Sequence, residues 1–157
     1  MSSLMIVGFF ALASGRRVST TKSGSTKAIT HCHYSTTIQC SEGTVLPADI
    51  RIFIRSTDFI HPDNTVAFIV SKVAFISPES TLLDAIFIVP MPGNIEDNSY
   101  EDTLPDFPYP LIFGLGPVTA LHERSFDTVS RGFSVSVSEY VRDSVKKFVV
   151  GCVHSSL

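Results

Sequence analysis

The sequence predicts an all-β domain, and three observations carry that expectation. First, residues 65–76 and 81–89 are two apolar runs rich in Val, Ile, Phe and Ala, separated by the short polar break Ser77-Pro78-Glu79-Ser80. Such a mixture of β-branched and aromatic side chains suits a pleated, buried surface. Second, residues 28–39 and 133–141 alternate with period two, as half-buried strands do. Third, the chain has twelve Phe, no Trp and few stretches with helical periodicity. Only residues 121–129 and 139–148 offer two or three turns of helix. A length of 157 residues, 44% of them hydrophobic and 17% charged, fits one globular domain with a core of its own. The expected architecture is a small barrel, closed or partly open, of short antiparallel strands with at most one or two short helices.

Taken in order, residues 4–12 read as a first core strand, with Gly8 where a strand could coil sharply. Residues 4–13 also have the length of a signal-peptide apolar region, and Ala11-Leu12-Ala13 resembles a small-residue cleavage site, but no positive charge precedes them and Arg16-Arg17 follows. Residues 14–26, polar and basic, read as a loop, so that residues 1–27 hold a first strand and a basic loop. Residues 28–39 form a strand that sets His31 and His33 on one face and Cys32 on the other. Residues 50–55 form another, with Arg51, Phe53 and Arg55 on one face and Ile50, Ile52 and Ile54 opposite. In residues 66–76 the alternation slips at Lys72-Val73, which points to a bulge or a bend at a barrel corner. Residues 82–89 carry one acid, Asp84, which must sit in water or with a partner. Residues 91–110 hold five acids, two tyrosines and several prolines, a composition that predicts a long ordered loop. Residues 111–115, 133–140 and 148–153 complete the expected strands, and residues 141–147 read as a turn or short helix.

The chemistry is less explicit. No nucleophile elbow, phosphate-binding loop or zinc-protease motif occurs, and no paired carboxylates lie in apolar surroundings. The sequence therefore suggests no enzyme, no cofactor and no metal. His31 and His33, even with Cys40, lack the convergent spacing of a zinc site. Three cysteines, Cys32, Cys40 and Cys152, are too few for a disulfide scaffold, and no Asn-x-Ser/Thr acceptor is present; both features favour a reducing, intracellular compartment.

Net charge is −3, which argues against a globally basic nucleic-acid binder, but the charges are segregated. Arg16, Arg17, Lys22 and Lys27 lie in a stretch without acids, whereas Glu96, Asp97, Glu101, Asp102 and Asp106 lie in one without bases. Two guanidiniums around an aromatic ring, Arg51, Phe53 and Arg55, suit phosphates and stacked bases. The leading expectation is a non-enzymatic module that binds single-stranded nucleic acid through Arg16, Arg17, Lys22, Lys27, Arg51, Phe53 and Arg55. A rival expectation is a protein-interaction or assembly module, with the acidic proline-rich loop docking a basic partner and an exposed edge strand after Phe148 pairing with another chain or a second copy. A third, a secreted barrel for sugar or lipid, requires residues 4–13 to be a signal peptide.

At PDNTVAFIVSKVAF, LLDAIFIVPMPG, PDFPYPLIFGLGPV and GFSVSVSEYVRD the chain resembles uncharacterised proteins of mushroom-forming (basidiomycete) fungi. The resemblance covers most of residues 45–150 and implies a small β-barrel of the oligonucleotide-binding (OB) type, a fold and lineage rather than an activity. It supplies no catalytic residue. The abrupt end after the last apolar run suggests either a complete edge strand or a truncated member of that group.

Overall fold

The structure is a computed structural model in which residues 2–21, 24, 26–40, 43–122 and 130–155 are described. It is all-β. Among the described residues ten strands follow one another: β1 (Ser3–Ala11), β2 (Ala13–Thr21), β3 (Ala28–Gln39), β4 (Val45–Phe53), β5 (Val66–Ser77), β6 (Ser80–Pro90), β7 (Leu111–Leu115), β8 (Val118–His122), β9 (Ser130–Val141) and β10 (Ser144–Ser155), with one 3-10 turn at Glu101–Thr103. They form a seven-stranded sheet in the order β2-β3-β4-β6-β5-β1-β7 and a three-stranded sheet in the order β10-β9-β8. All pairings are antiparallel except β4 with β6. Among the described residues no helix is long and apolar enough to cross a membrane.

Alternation builds the core. β1 sends Leu4, Ile6 and Phe10 inward, β3 sends Cys32, Tyr34 and Ile38, β4 sends Ala48 and Ile50, and β5 and β6 add Ala67, Ile69, Val73 and Leu83. Fully burying each large aliphatic side chain contributes about 1.5–3 kcal/mol. Val137 of β9 joins the same cluster, so the smaller sheet packs against the larger one. The glycine at position 8 has a steric reason: Pro110 lies 2.9 Å from where a Cβ would stand.

Of the two forms expected, a closed or a partly open barrel, the closed one is not met. The large sheet begins at β2 and ends at β7, and no ladder joins those edges among the described residues. Its curl is maintained covalently: β1 and β2 are separated only by Leu12, which is fully buried and exchanges main-chain hydrogen bonds with Thr65 O and Asn64 N. The chain turns there through a register shift between Ala13 and Arg16, with Ser14 at φ 54°.

Residues 14–21, expected in a loop, belong to β2. Their polar composition reflects an edge position, where β3 satisfies one side of the backbone and water takes both faces. β4 starts before the expected residue 50 and contains Pro47. Pro47 pairs with Thr37 on one side, but the parallel partner β6 begins only at Ala48, so the missing N–H breaks no ladder. The pairing of β5 with β6 is regular at Lys72-Val73, where the apolar alternation slips; the bulge lies elsewhere, where Val70 faces Phe87 while Ser71 faces Ala85 and Ile86 of β6 is the extra residue, and a second shift lies between Phe75 and Ser77. Beyond the bulge Phe87 and Val89 turn out to solvent.

Strand β8 was not anticipated. It takes up Leu121 of the candidate helix at 121–129, whose residues 123–129 lie outside those described. The candidate helix at 139–148 is instead a tight hairpin. Arg142 and Asp143 both have positive φ, 55° and 65°, as the two central residues of a type I′ turn require. Asp tolerates that region and the right-handed twist of the flanking strands favours it, so turn geometry outweighs a weak helical pattern.

Candidate nucleic-acid interface

The outer face of the large sheet is organised by register. Arg16 of β2 lies opposite His33 of β3, His33 opposite Arg51 of β4, Arg51 opposite Asp84 of β6, and Asp84 opposite Lys72 of β5. One row of polar side chains thus crosses five strands. The next row along runs Val18, His31, Phe53. Cys32, Tyr34, Ile50 and Leu83 point the other way into the core, which is why these polar groups share one surface.

The β9–β10 turn closes over part of this row. Asp84 accepts Arg51 through both oxygens, from Nε at 2.8 Å and Nη2 at 2.9 Å. It also accepts the main-chain N–H of Arg142 at 2.8 Å. Arg51 donates its remaining arm to Asp143. The Arg142 guanidinium reaches Asp49 O at 2.8 Å and His33 Nδ1 at 3.2 Å, while its buried Nε sits 3.4 Å from Asp84 Oδ1 without a hydrogen bond. His33 can accept from Arg142 at Nδ1 only while that nitrogen is unprotonated. Burial lowers the pKa of both His31 and His33, with Arg51 acting in the same direction on His31, and Arg142 and Arg16 on His33.

Further along, Lys72 Nζ donates to Glu139 at 3.0 Å, and the other oxygen of Glu139 accepts Leu4 N at 3.2 Å. Burial works against the Glu139 carboxylate, but hydrogen bonds from Ser3, Lys72 and Leu4 N outweigh it and hold the carboxyl below its ordinary range.

Beside this network is a shallow pocket of about 250 Å³ lined by His31, Arg51, Phe53, Lys72, Asp84, Ala85, Ile86 and Tyr140. Phe53, Ile86 and Tyr140 are more than half exposed, and the His31 and Phe53 rings meet edge to face at 6.1 Å. Exposed aromatic rings with cations near them can stack bases and touch phosphates. Of the residues expected to bind, Arg51 and Phe53 line this pocket and Arg16 lies in the same polar row. Arg55 lies beyond the end of β4, its main-chain N–H bonded to Asp58. Arg17 projects on the opposite side of β2 from Arg16 and donates to Asp58 O. Lys27 is exposed just before β3, and Lys22 lies outside the described residues.

No family model and no characterised protein matches the chain. Among solved structures, it is similar to a deletion mutant of the single-stranded DNA binding protein from Thermus aquaticus, with 12% identity and a TM-score of 0.44 over 98% of this chain and 75% of that one. A likeness at that level carries no functional argument.

A larger pocket, about 940 Å³, lies under the acidic loop and is lined by Glu96, Asp97 and Glu101 with no lysine or arginine. Its sign is wrong for phosphate, so size does not make it the nucleic-acid site. Sequence reasoning missed Tyr140, Lys72, Ile86 and Arg142. Tyr140 and Arg142 reach the β4 face only because the second sheet folds across the first. Among the described residues no three of His, Cys, Asp and Glu converge as a metal site.

Proposed function

We propose that this chain is a single-domain, non-enzymatic binding module of the OB type that takes single-stranded nucleic acid on the outer face of β3 and β4. With β1 and β2 counted as one strand bent at Leu12, and β7 set aside, the large sheet holds five strands with one parallel pair, β4 with β6. β3 and β4 are then the second and third strands, whose face receives oligonucleotides in OB folds. The observation that carries the reading is the grouping of exposed Phe53 and Tyr140 with His31, Lys72 and Arg51 around one pocket. The pocket offers bases two rings to stack on.

The charge balance sets the character of the interaction. Arg16, Arg51, Lys72 and Arg142 share this face with Asp49, Asp84, Glu139 and Asp143, so stacking rather than phosphate attraction supplies most of the affinity. Each phosphate contact on a single strand adds about 0.7 to the salt slope, and this face should give a slope of only about 1–2. A ligand of this class fits an intracellular protein.

Fluorescence anisotropy with a labelled pyrimidine oligonucleotide at low salt tests the reading. Phe53→Ala and Tyr140→Ala should each weaken binding by about 1–3 kcal/mol, the range for loss of one stacked base. Absence of binding by the folded protein at low salt would overturn it.

A further inference from the structure

We propose that two copies of this chain pair through their β10 strands, antiparallel about a two-fold axis at Val149, to form one continuous six-stranded sheet. The inference is independent of the nucleic-acid reading and rests on a different surface. Among the described residues β10 is bonded only to β9 and forms the outer edge of the small sheet. It is twelve residues long and contains neither proline nor a register shift, so it lacks most of the devices that keep edge strands from pairing.

The hairpin geometry shows which backbone groups are available. In the two-residue turn Ser144 N–H bonds back to Val141 C=O, and ladder bonds then alternate along the pair. Residues 145, 147, 149, 151 and 153 therefore direct N–H and C=O away from β9, toward the free edge. The side chains of the same residues form the outer face, where Val145, Val149 and Val153 are 57%, 63% and 69% exposed.

Self-pairing chooses the register. With Val149 opposite Val149 of a second copy, Val145 meets Val153, Lys147 meets Gly151, Lys146 meets Cys152 and Phe148 meets Val150. Valines meet valines, and neither lysine meets a lysine. Space beside Gly151, where a Cβ would find nothing within 4 Å, accommodates the Lys147 stem. An axis at Lys147 would oppose two ammonium groups, and an axis at Phe148 would set Val149 against Lys147 and Val153 against Asp143. Of these three registers, the one centred on Val149 matches both polarity and charge.

Sedimentation of the full chain over a concentration series should show a species of twice the monomer mass. Val149→Lys places two ammonium groups across the axis, and Val149→Pro removes a N–H that β9 does not use; both should sediment as monomers with an unchanged far-ultraviolet spectrum. Hydrogen-bonded antiparallel partners stand about 5.5 Å apart at Cα, within disulfide range. Val149→Cys should therefore cross-link to itself on mild oxidation, whereas Val145→Cys cross-links only when combined with Val153→Cys. A wild-type chain that stays monomeric up to about 100 µM, or a dimer unaffected by both position-149 variants, would refute the proposal.

Discussion

Asp84 and Arg142, fifty-eight positions apart, are joined by a hydrogen bond from the Arg142 main-chain N–H to an Asp84 oxygen that also accepts Arg51. One carboxylate on the large sheet therefore holds both a neighbouring strand and the turn of the small sheet. Asp84 and both guanidiniums have side chains less than a fifth exposed, so they depend on one another for neutralisation.

Asp84→Ala should destabilise the protein by about 3–5 kcal/mol, because it leaves the largely buried Arg142 without its carboxylate and Arg51 with only the exposed carboxylate of Asp143. Urea unfolding measures this. A loss below about 1 kcal/mol would mean that water replaces the carboxylate easily. Arg51→Ala should also lose stability, so its effect on ligand binding has to be read beside that of Phe53→Ala, which leaves the ion pairs intact.

Stability should fall on mild acidification. His31, His33 and His61 all have folded pKa values lowered from 6.5, chiefly by burial, so the folded state disfavours their protonation. Their contribution is fully present above the unfolded value of 6.5 and is lost as pH drops through the folded values. Arg142, Arg16 and Arg51 act against a charge on His33, and Asp49 only partly offsets them. His33→Gln should flatten the decline in urea midpoint between about pH 7.5 and 5.5. An unchanged slope would separate His33 from the effect.

Tyr34→Phe tests a core hydroxyl. Tyr34 is buried, its oxygen accepts His61 N at 3.0 Å, and burial together with a hydrogen bond to Cys32 pushes its pKa up to about 12. Removing the oxygen strands the His61 amide and should cost about 1–3 kcal/mol in thermal or urea unfolding. A neutral result would show that water reaches that amide.

Gly93→Ala should loosen the acidic loop. Gly93 has φ 132°, and a Cβ there would lie 2.7 Å from the ring of Tyr100, whose hydroxyl accepts Val66 N at 3.2 Å. The strain, about 1–3 kcal/mol, should unseat Tyr100 and speed limited proteolysis within residues 91–110 while the sheets stay folded. Equal cleavage rates would show that the loop is anchored elsewhere.

The strands expected at 28–39 and 111–115 have the observed bounds, and most of the other expected strands differ only at their ends, because period-two burial is local and is written in consecutive side chains. The face assignments of His31, Cys32 and His33 were legible for the same reason. β2 was not, since an edge strand wet on both faces has no apolar alternation to reveal it. The β9–β10 hairpin was hidden because Arg-Asp is an uncommon pair for a turn that needs positive φ twice. Asp84 could be seen to need a partner, but nothing near it in the chain identifies Arg51 or Arg142. The sequence by itself determined that most of these strands form and which side chains of each share a face. Only the tertiary structure decided that Arg51 is held by Asp84 and Asp143, and that Tyr140 stands beside Phe53, because those contacts join strands that are distant along the chain and lie in two different sheets.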